Sequence, residues 1–293
     1  MEKIFSLFAA ILILSGCEKK VAFTLKESDP KLVVEATIEN DGAPRVVLTN
    51  SLNYFSTISP ELLLNSFVHG AEVTISNGIK THRLKEYSVP FTAGIRLYYY
   101  SNDSSNATTS FTGKLNTAYS LKIISGGKEY TSQTTIPNLT KRIDSVWYKP
   151  APKDPAKKII LMMVRVTDPK GYGDYVRYFT RKNRQPFLPG FNSVYDDQII
   201  DGTTYDLEVD PGVDRNQPLK EDERAFKRGD TVTLKLSNID KNTFDFWRTM
   251  EYSYSSIGNP FSSPTKVINN ISNGALGYFG GYASQYRTLI IPK

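Results

Sequence analysis

Three residue types are scarce in this chain, whose 293 residues include one cysteine, two histidines and two tryptophans. The single cysteine, Cys17, excludes an intrachain disulfide and a metal site made of several thiolates. The two histidines, His69 and His82, form neither an H-x-H nor an H-E-x-x-H spacing, which argues against a histidine-based metal centre. Both lie beside predicted strand starts or turns, so we expect them at the surface or at a sheet edge.

Motifs for covalent and phosphate chemistry are also missing. The sequence has no G-x-S-x-G elbow to activate a serine and no G-x-x-x-x-G-K-[ST] loop to cradle a phosphate. The formal net charge is only +6, and the basic residues are scattered, so there is no support for nucleic acid as a partner. We therefore expect a protein that is not an enzyme.

Long apolar runs are scarce too, and the clearest one stands at the start of the chain. Residues 4–14 are almost unbroken in apolar character, but a helix that spans a bilayer needs roughly 20 such residues. A short run at this position is typical of a signal peptide. It closes in Leu14-Ser15-Gly16-Cys17, an aliphatic residue and two small ones before a thiol that can accept diacylglycerol. We interpret residues 1–17 as a lipoprotein signal peptide with its lipobox, and Cys17 as the lipidation site.

We predict that residues 18–30 form a tether. After them come short runs rich in Val, Ile, Thr and Tyr, with turn residues between the runs. Lys31–Ile38, Arg45–Thr49 and Ala118–Ile124 are clear examples, and such runs predict β-strands. Roughly seven of them before the middle of the chain fit one Ig-like β-sandwich. We assign this sandwich to residues 31–140.

The remaining residues, 141–293, predict a second β-rich domain with one helix. Ile159–Thr167 is apolar enough for a central strand. Apolar residues in Thr243–Ser253 recur at helical spacing, and Asp240 or Asn242 could cap that helix. The predicted fold is therefore mostly β, with an N-terminal Ig-like β-sandwich followed by a β-rich domain that contains one helix.

Seven stretches, taken in order, are similar to those of a known protein family. They are Asp29–Ile38, Gly70–Ile75, Thr131–Pro137, Ile143–Tyr148, Val166–Tyr178, Tyr195–Gly202 and Asn259–Tyr282. Together they resemble the domain-of-unknown-function 4249 (DUF4249) family of Gram-negative outer-membrane lipoproteins. The resemblance covers nearly the whole mature chain, and one departure is Asn273-Gly274-Ala275, where the family tends to have a double glycine.

The resemblance implies an accessory lipoprotein of the kind encoded beside TonB-dependent outer-membrane transporters, all-β with one late helix and without known catalytic residues. We therefore expect a non-enzymatic accessory or binding lipoprotein, held to the outer membrane by its lipid, with a TonB-dependent β-barrel transporter as partner. A stand-alone adhesin or structural scaffold is the alternative, and a surface hydrolase fits least. Glu18-Lys19-Lys20 leaves open whether the protein faces the periplasm or the cell surface.

The best candidate for a metal site is acidic. Asp206, Glu208 and Asp210 alternate in sequence, so on a strand they share one face, and carboxylate oxygens are ligands for Ca²⁺. Asp196, Asp197 and Asp201 lie just before them. The alternative for the alternating set is the wet face of a sheet, and otherwise we expect no cofactor beyond the lipid on Cys17.

The candidate partner surface lies late in the chain. Residues 259–282 are rich in Gly, Asn and Ser, which predicts loops, and loops carry function more often than the strands beneath them. This segment holds four large aromatic residues: Phe261, Tyr278, Phe279 and Tyr282. They are either offered to a partner or packed into the end of the second domain, and the sequence leaves both readings open.

Overall fold

Strands make up most of the structure. The computed structural model describes residues 29–53, 56–92, 95–152, 154, 158–215, 225–257, 259, 262–263 and 265–293. Its strands are β1 (Leu32–Glu39), β2 (Arg45–Asn50), β3 (Glu72–Ser76), β4 (Thr81–Thr92), β5 (Ile95–Asn102), β6 (Thr117–Ser125), β7 (Lys128–Ile136), β8 (Arg142–Pro150), β9 (Ile159–Thr167), β10 (Tyr175–Lys182), β11 (Leu188–Tyr195), β12 (Thr204–Val209), β13 (Phe226–Lys227), β14 (Thr231–Ile239) and β15 (Leu276–Ile290). Its helices are α1 (Pro60–Ser66) and α2 (Lys241–Ser256).

The strands form two sheets. The larger has eleven strands in the order β11-β10-β14-β15-β1-β2-β5-β4-β3-β6-β7, and the smaller contains β12, β9 and β13, with β8 paired to β9. β1 and β15 run parallel, with Val33 opposite Leu276 and Glu39 opposite Tyr282, whereas β15 and β14 are antiparallel. The last strand of the chain therefore joins the first strand to the later half of the sheet.

Strict alternation of apolar residues builds the first core. Leu32, Val34, Ala36 and Ile38 are the buried side chains of β1, because every second residue of a strand points to the same face. They belong to a cluster to which β3, β6 and β7 contribute from the other side. The large sheet thus folds over itself into a β-sandwich, and the predicted mostly β fold with an N-terminal sandwich is confirmed.

The last seven residues of the segment 259–282 belong to strand β15, which begins at Leu276, so the prediction of a loop is wrong for residues 276–282. A Cβ on Gly277, whose φ is +103°, would lie 1.9 Å from the carbonyl oxygen of Val34. A Cβ on Gly281 would lie 2.4 Å from the carbonyl oxygen of Thr135. These glycines therefore let β1 and β7 approach the backbone of β15, as glycine alone can.

The later half of the chain has its own apolar packing. β9 of the small sheet and β10 and β14 of the large sheet supply most of a second cluster, and Phe244 and Phe246 of α2 pack with Tyr278 and Tyr282 in a third. Asp240 caps α2, since its Oδ1 accepts a 2.9 Å hydrogen bond from the Thr243 amide. The predicted late helix is confirmed.

The sequence does not predict α1. Its first turn is set by Ser59, whose Oγ accepts a hydrogen bond from the Leu62 amide at 3.1 Å, with Pro60 following the cap. Proline is favoured in the first turn of a helix because no backbone partner is lost there. In the part of the chain that the structure describes, no helix is both long and apolar enough to cross a membrane.

The structure does not separate into two domains at the predicted boundary near residue 140. Residues Lys31–Lys293 form one compact unit. The first core contains four side chains from far beyond the boundary: Ile271, Ala275, Phe279 and Ala283. These shared side chains argue against independent folding of residues 31–140.

The two histidines have different environments. His69 is half exposed, and its Nδ1 lies 2.5 Å from Glu86 Oε1. His82 is fully buried, and its Nε2 accepts a hydrogen bond from the Asp103 amide at 2.9 Å. The expectation of a surface or edge position was therefore wrong for His82, because its ring packs beneath the loop that contains Asp103 and Thr109.

Candidate functional site

The most distinctive concave feature of the described residues is a cavity of about 730 Å³ between the small sheet and the β10–β14 end of the large sheet. Its apolar walls come from facing strands: Val164 and Val166 of β9, Val176 and Tyr178 of β10, Val194 of β11, and Leu234 and Leu236 of β14. Several of these positions hold valine, whose short side chain leaves space between the layers. The volume lies in the usual range for small-molecule sites, roughly 300–1,000 Å³.

Charged side chains surround this apolar interior, and Asp196, Arg248 and Glu251 are held in ion pairs. Arg248 of α2 lies 3.3 Å from Asp196. Glu251 is buried, accepts hydrogen bonds from the Ser193 amide at 2.9 Å and hydroxyl at 2.5 Å, and lies 3.1 Å from Arg215. Glu251 therefore fastens α2 to β11 and shapes one wall of the cavity.

Two tyrosines of the cavity, Tyr178 and Tyr205, carry neutral phenol groups. Burial raises the pKa of Tyr205 to about 12, and the nearby charges of Asp168 and Asp197 add to the effect. Burial likewise raises the pKa of Tyr178 above its ordinary value. These phenols therefore keep their protons at neutral pH and suit binding better than proton abstraction.

One wall of the cavity is the segment from Asp196 to Ile200, and a cluster of acids behind it holds it in place. One carboxylate oxygen each of Asp168, Asp197 and Asp201 lies within 4.8 Å of the others. Backbone amides meet these charges: Gly171 donates to Asp201 at 2.6 Å, Gly173 and Asp174 donate to Asp197 at 2.8 and 3.0 Å, and Gly202 donates to Asp168 at 3.3 Å. The cluster thus ties the loop after β9 to the loop after β11.

A buried lysine completes the cluster. The Lys141 Nζ lies 3.3 Å from Asp168 Oδ1, and neither side chain has any exposed surface. Burial raises the pKa of Asp168, and the charge of Lys141 opposes that rise. Lys141 Nζ and Asp168 Oδ1 form this ion pair but no hydrogen bond. Carboxylate oxygens suit Ca²⁺ in kind, but a buried ammonium stands beside them and four backbone amides donate to them, so we assign the cluster a structural role.

The predicted metal ligands do not converge. Asp206 forms two hydrogen bonds with Arg165, at 2.7 and 2.9 Å, because the two residues are opposite each other in β12 and β9. These bonds lower the pKa of Asp206. Glu208 and Asp210 lie instead at the cavity, so the three residues do not form one calcium site.

The sequence indicates only weakly that Asp168, Asp197 and Asp201 lie close together. Asp197 and Asp201 belong to the Tyr195–Gly202 stretch, and Asp168 to the Val166–Tyr178 stretch, on which the family resemblance partly rests. Each stretch pairs acids with glycines, a composition that suits carboxylates held by backbone amides in turns. Sequence reasoning missed their meeting, and it also missed Lys141, which nothing in its local pattern marks as buried.

The predicted partner surface is in the core. Tyr278, Phe279 and Tyr282 are at most 4% exposed, and Phe261 lies outside the described residues. The Tyr278 ring stacks on Phe246 with centroids 4.4 Å apart. These side chains therefore follow the other reading of the sequence, in which they pack into the protein, and they are not a surface for a partner.

This aromatic core also holds α2 on the sheet. Trp247 Nε1 donates a hydrogen bond to the Tyr282 hydroxyl at 3.1 Å. The guanidinium of Arg177, itself buried, lies 3.4 Å above the Trp247 ring centre. Since α2 also lines the cavity, these contacts support the cavity from behind.

Comparisons with known proteins identify the family of the chain. A search of the curated proteins finds no match. Among solved structures, the chicken interferon gamma receptor alpha chain matches with 11% identity and a TM-score of 0.26, over 91% of this chain and 100% of that one, a likeness too low to carry an argument. The family model described as "Domain of unknown function (DUF4249)" matches residues 18–288. The chain therefore belongs to the DUF4249 family.

Proposed function

We propose that this protein is a lipid-anchored, non-enzymatic binding protein of the outer membrane that holds a small, largely apolar ligand in the cavity beside α2. The cavity itself carries the proposal. Its walls are apolar and contributed by three layers of structure, and a few charged groups stand around them, which is the usual composition of a small-molecule site.

The surroundings of the cavity favour binding over catalysis. Glu251 and Asp196 are engaged in pairs with Arg215 and Arg248, and such pairs hold walls in place. A general acid or base needs a pKa near the working pH, whereas burial moves the pKa of Tyr205 to about 12. These groups suit the orientation of a ligand.

The anchor and the partner complete the proposal. Leu14-Ser15-Gly16-Cys17 supports lipidation of Cys17, and the family match begins at the next residue. A lipid-held binding protein beside a TonB-dependent transporter would concentrate cargo at the mouth of that transporter. Cys17→Ala should then release the protein from membranes washed with alkaline carbonate, because stable anchoring requires acyl chains.

The cavity can be tested with N-phenyl-1-naphthylamine, a neutral apolar dye that fluoresces when it leaves water. Leu236→Trp places a larger side chain in the cavity, and Ile79→Trp is the control because Ile79 is 92% exposed in a distant turn. We expect the wild type and the control to bind the dye and Leu236→Trp to lose at least about tenfold in affinity with its fold intact by circular dichroism. Equal binding by all three proteins would refute the cavity as the site.

A further inference from the structure

One end of the large sheet is where the chain joins the predicted tether. The Lys31 amide donates a hydrogen bond to Ser51 Oγ at 3.0 Å, and the Ser51 amide donates one to the Lys31 carbonyl at 2.8 Å. The start of β1 and the end of β2 therefore lie side by side. We call this edge of the sheet the tether end.

Two further segments extend from the tether end. The chain leaves β2 at Ser51, forms α1 and returns at Phe67, which bridges to Thr49. β5 runs antiparallel to β2 with Tyr100 opposite Val46, so Ile95, where β5 begins, lies towards the tether end. The hairpin of β4 and β5 consequently has its tip there as well.

Both segments carry apolar side chains in solvent. Ile58 before α1 is 68% exposed and Phe91 near the hairpin tip is 66% exposed. Three more exposed apolar residues accompany them: Leu52, Leu63 and Val89. We call these five residues the tether-end patch.

We infer that the tether-end patch inserts into the surface of a lipid bilayer and orients the protein on the membrane. The occupant follows from the covalent connection: residues 18–30 lead from Cys17 to Lys31, and a chain of this length extends at most about 45 Å. The bilayer is thus the apolar phase that the chain itself keeps near this edge. Exposed Ile, Leu and Phe side chains at such an edge are suited to the boundary between headgroups and acyl chains.

The inference goes beyond the cavity and needs no ligand in it. It assumes the anchored state of the proposed function, but it can be tested without the lipid. A chain of residues 18–293 retains the whole compact unit from Lys31 to Lys293 and contains no cysteine, since Cys17 is the only one. Vesicle binding by this chain is then independent of the lipid anchor, and the difference between this chain and its patch variants measures the patch.

The first test is flotation with vesicles of phosphatidylethanolamine and phosphatidylglycerol. We expect the double variant Ile58→Ser with Phe91→Ser to lose at least about tenfold in partition coefficient, since both substitutions remove apolar surface that insertion would take out of water. Ile79→Ser is the matched control, because Ile79 precedes β4 at the opposite end of the sheet. Equal partition of all three proteins, an equal loss in the control, or no flotation of the parent chain would overturn the inference.

A second measurement locates the contact. Phe91→Cys and Ile79→Cys each give the cysteine-free chain one site for an environment-sensitive nitrobenzoxadiazole label. We expect a blue shift on addition of the same vesicles for the label at position 91 and none at position 79. A shift at neither position or at both would contradict insertion of the tether end. Dye binding in the cavity should be unaffected by Ile58→Ser with Phe91→Ser, which separates this inference from the proposed function.

Discussion

The ammonium of Lys141 lies 3.3 Å from the carboxylate of Asp168, and both side chains are fully buried. This pair stands at the junction of the acidic cluster with the cavity, which Lys141 also lines. Both charges have left water, so each depends on the other for compensation. The loop that forms one wall of the cavity therefore depends on a lysine in a different part of the chain.

Removal of Lys141 should be strongly destabilising. Lys141→Met keeps the length of the side chain but leaves Asp168 buried without its counter-charge, and loss of one partner of a buried pair costs about 3–5 kcal/mol. Lys122→Met is the control, since Lys122 pairs with Glu129 on the exposed surface, where such pairs contribute about 0–1 kcal/mol. Urea unfolding measures both. A loss below about 1 kcal/mol for Lys141→Met would show that the pair does not hold this region.

The buried histidine predicts a dependence of stability on pH. Burial lowers the pKa of His82 below its ordinary value of 6.5, and the charge of Asp103 only partly opposes this. The unfolded chain therefore takes up a proton at His82 at a higher pH than the folded one. The contribution of His82 to stability is thus fully present above pH 6.5 and is lost as the pH is lowered through that value.

His82→Gln removes the titrating ring and should flatten this part of the pH profile. The amide can still accept a hydrogen bond from the Asp103 amide, although we expect lower stability at neutral pH. Thermal unfolding of both proteins between about pH 8 and pH 5 makes the comparison, around the ordinary pKa of histidine. Identical slopes in the wild type and His82→Gln would mean that His82 does not cause the loss.

Truncation of the aromatic side chains beneath α2 should lower the stability of the protein, because these side chains are packed in the core and do not form a binding surface. Tyr278→Ala with Tyr282→Ala removes two buried rings, and a single such core truncation costs about 3–5 kcal/mol. We expect a large fall in melting temperature. Tyr252→Ala is the control, because Tyr252 is exposed on the same helix. An unchanged melting temperature in the double variant would contradict a role in core packing and would favour a role of these tyrosines in binding a partner.

The first core predicts the behaviour of a fragment. Residues 31–140 lack Phe279 and Ala283, which complete that core, and they expose the edge of β1 that β15 normally covers. We expect the fragment alone to show no cooperative thermal transition by circular dichroism. A cooperative transition would support the domain boundary that the sequence predicts.

The sequence predicts the elements whose pattern is local. The alternation in Lys31–Ile38 and Ala118–Ile124 reflects burial of one strand face and matches β1 and β6, and the spacing of Thr243–Ser253 matches α2. The sequence does not predict β15, because its glycines are required by the close approach of the backbones of β1 and β7, which are distant in sequence. Local composition gives no sign of such an approach.

The site was harder to predict for the same reason. Asp168 and Asp197 meet only because two loops from different sheets converge, and Lys141 and His82 are buried by segments that do not adjoin them in sequence. Alternation placed Asp206, Glu208 and Asp210 on one strand face, but it could not reveal that Arg165 stands opposite Asp206. A pattern within one strand carries no information on its neighbour.

The most direct test of the central claim is mass spectrometry of the small molecules that the native protein retains. Tagged wild type and Leu236→Trp would be purified from the same solubilised membranes and extracted with organic solvent. The proposed function predicts an apolar compound that is enriched with the wild type and absent from the cavity-filled variant. The same extract from both proteins, or no retained compound in the wild type, would contradict a ligand-binding role for the cavity.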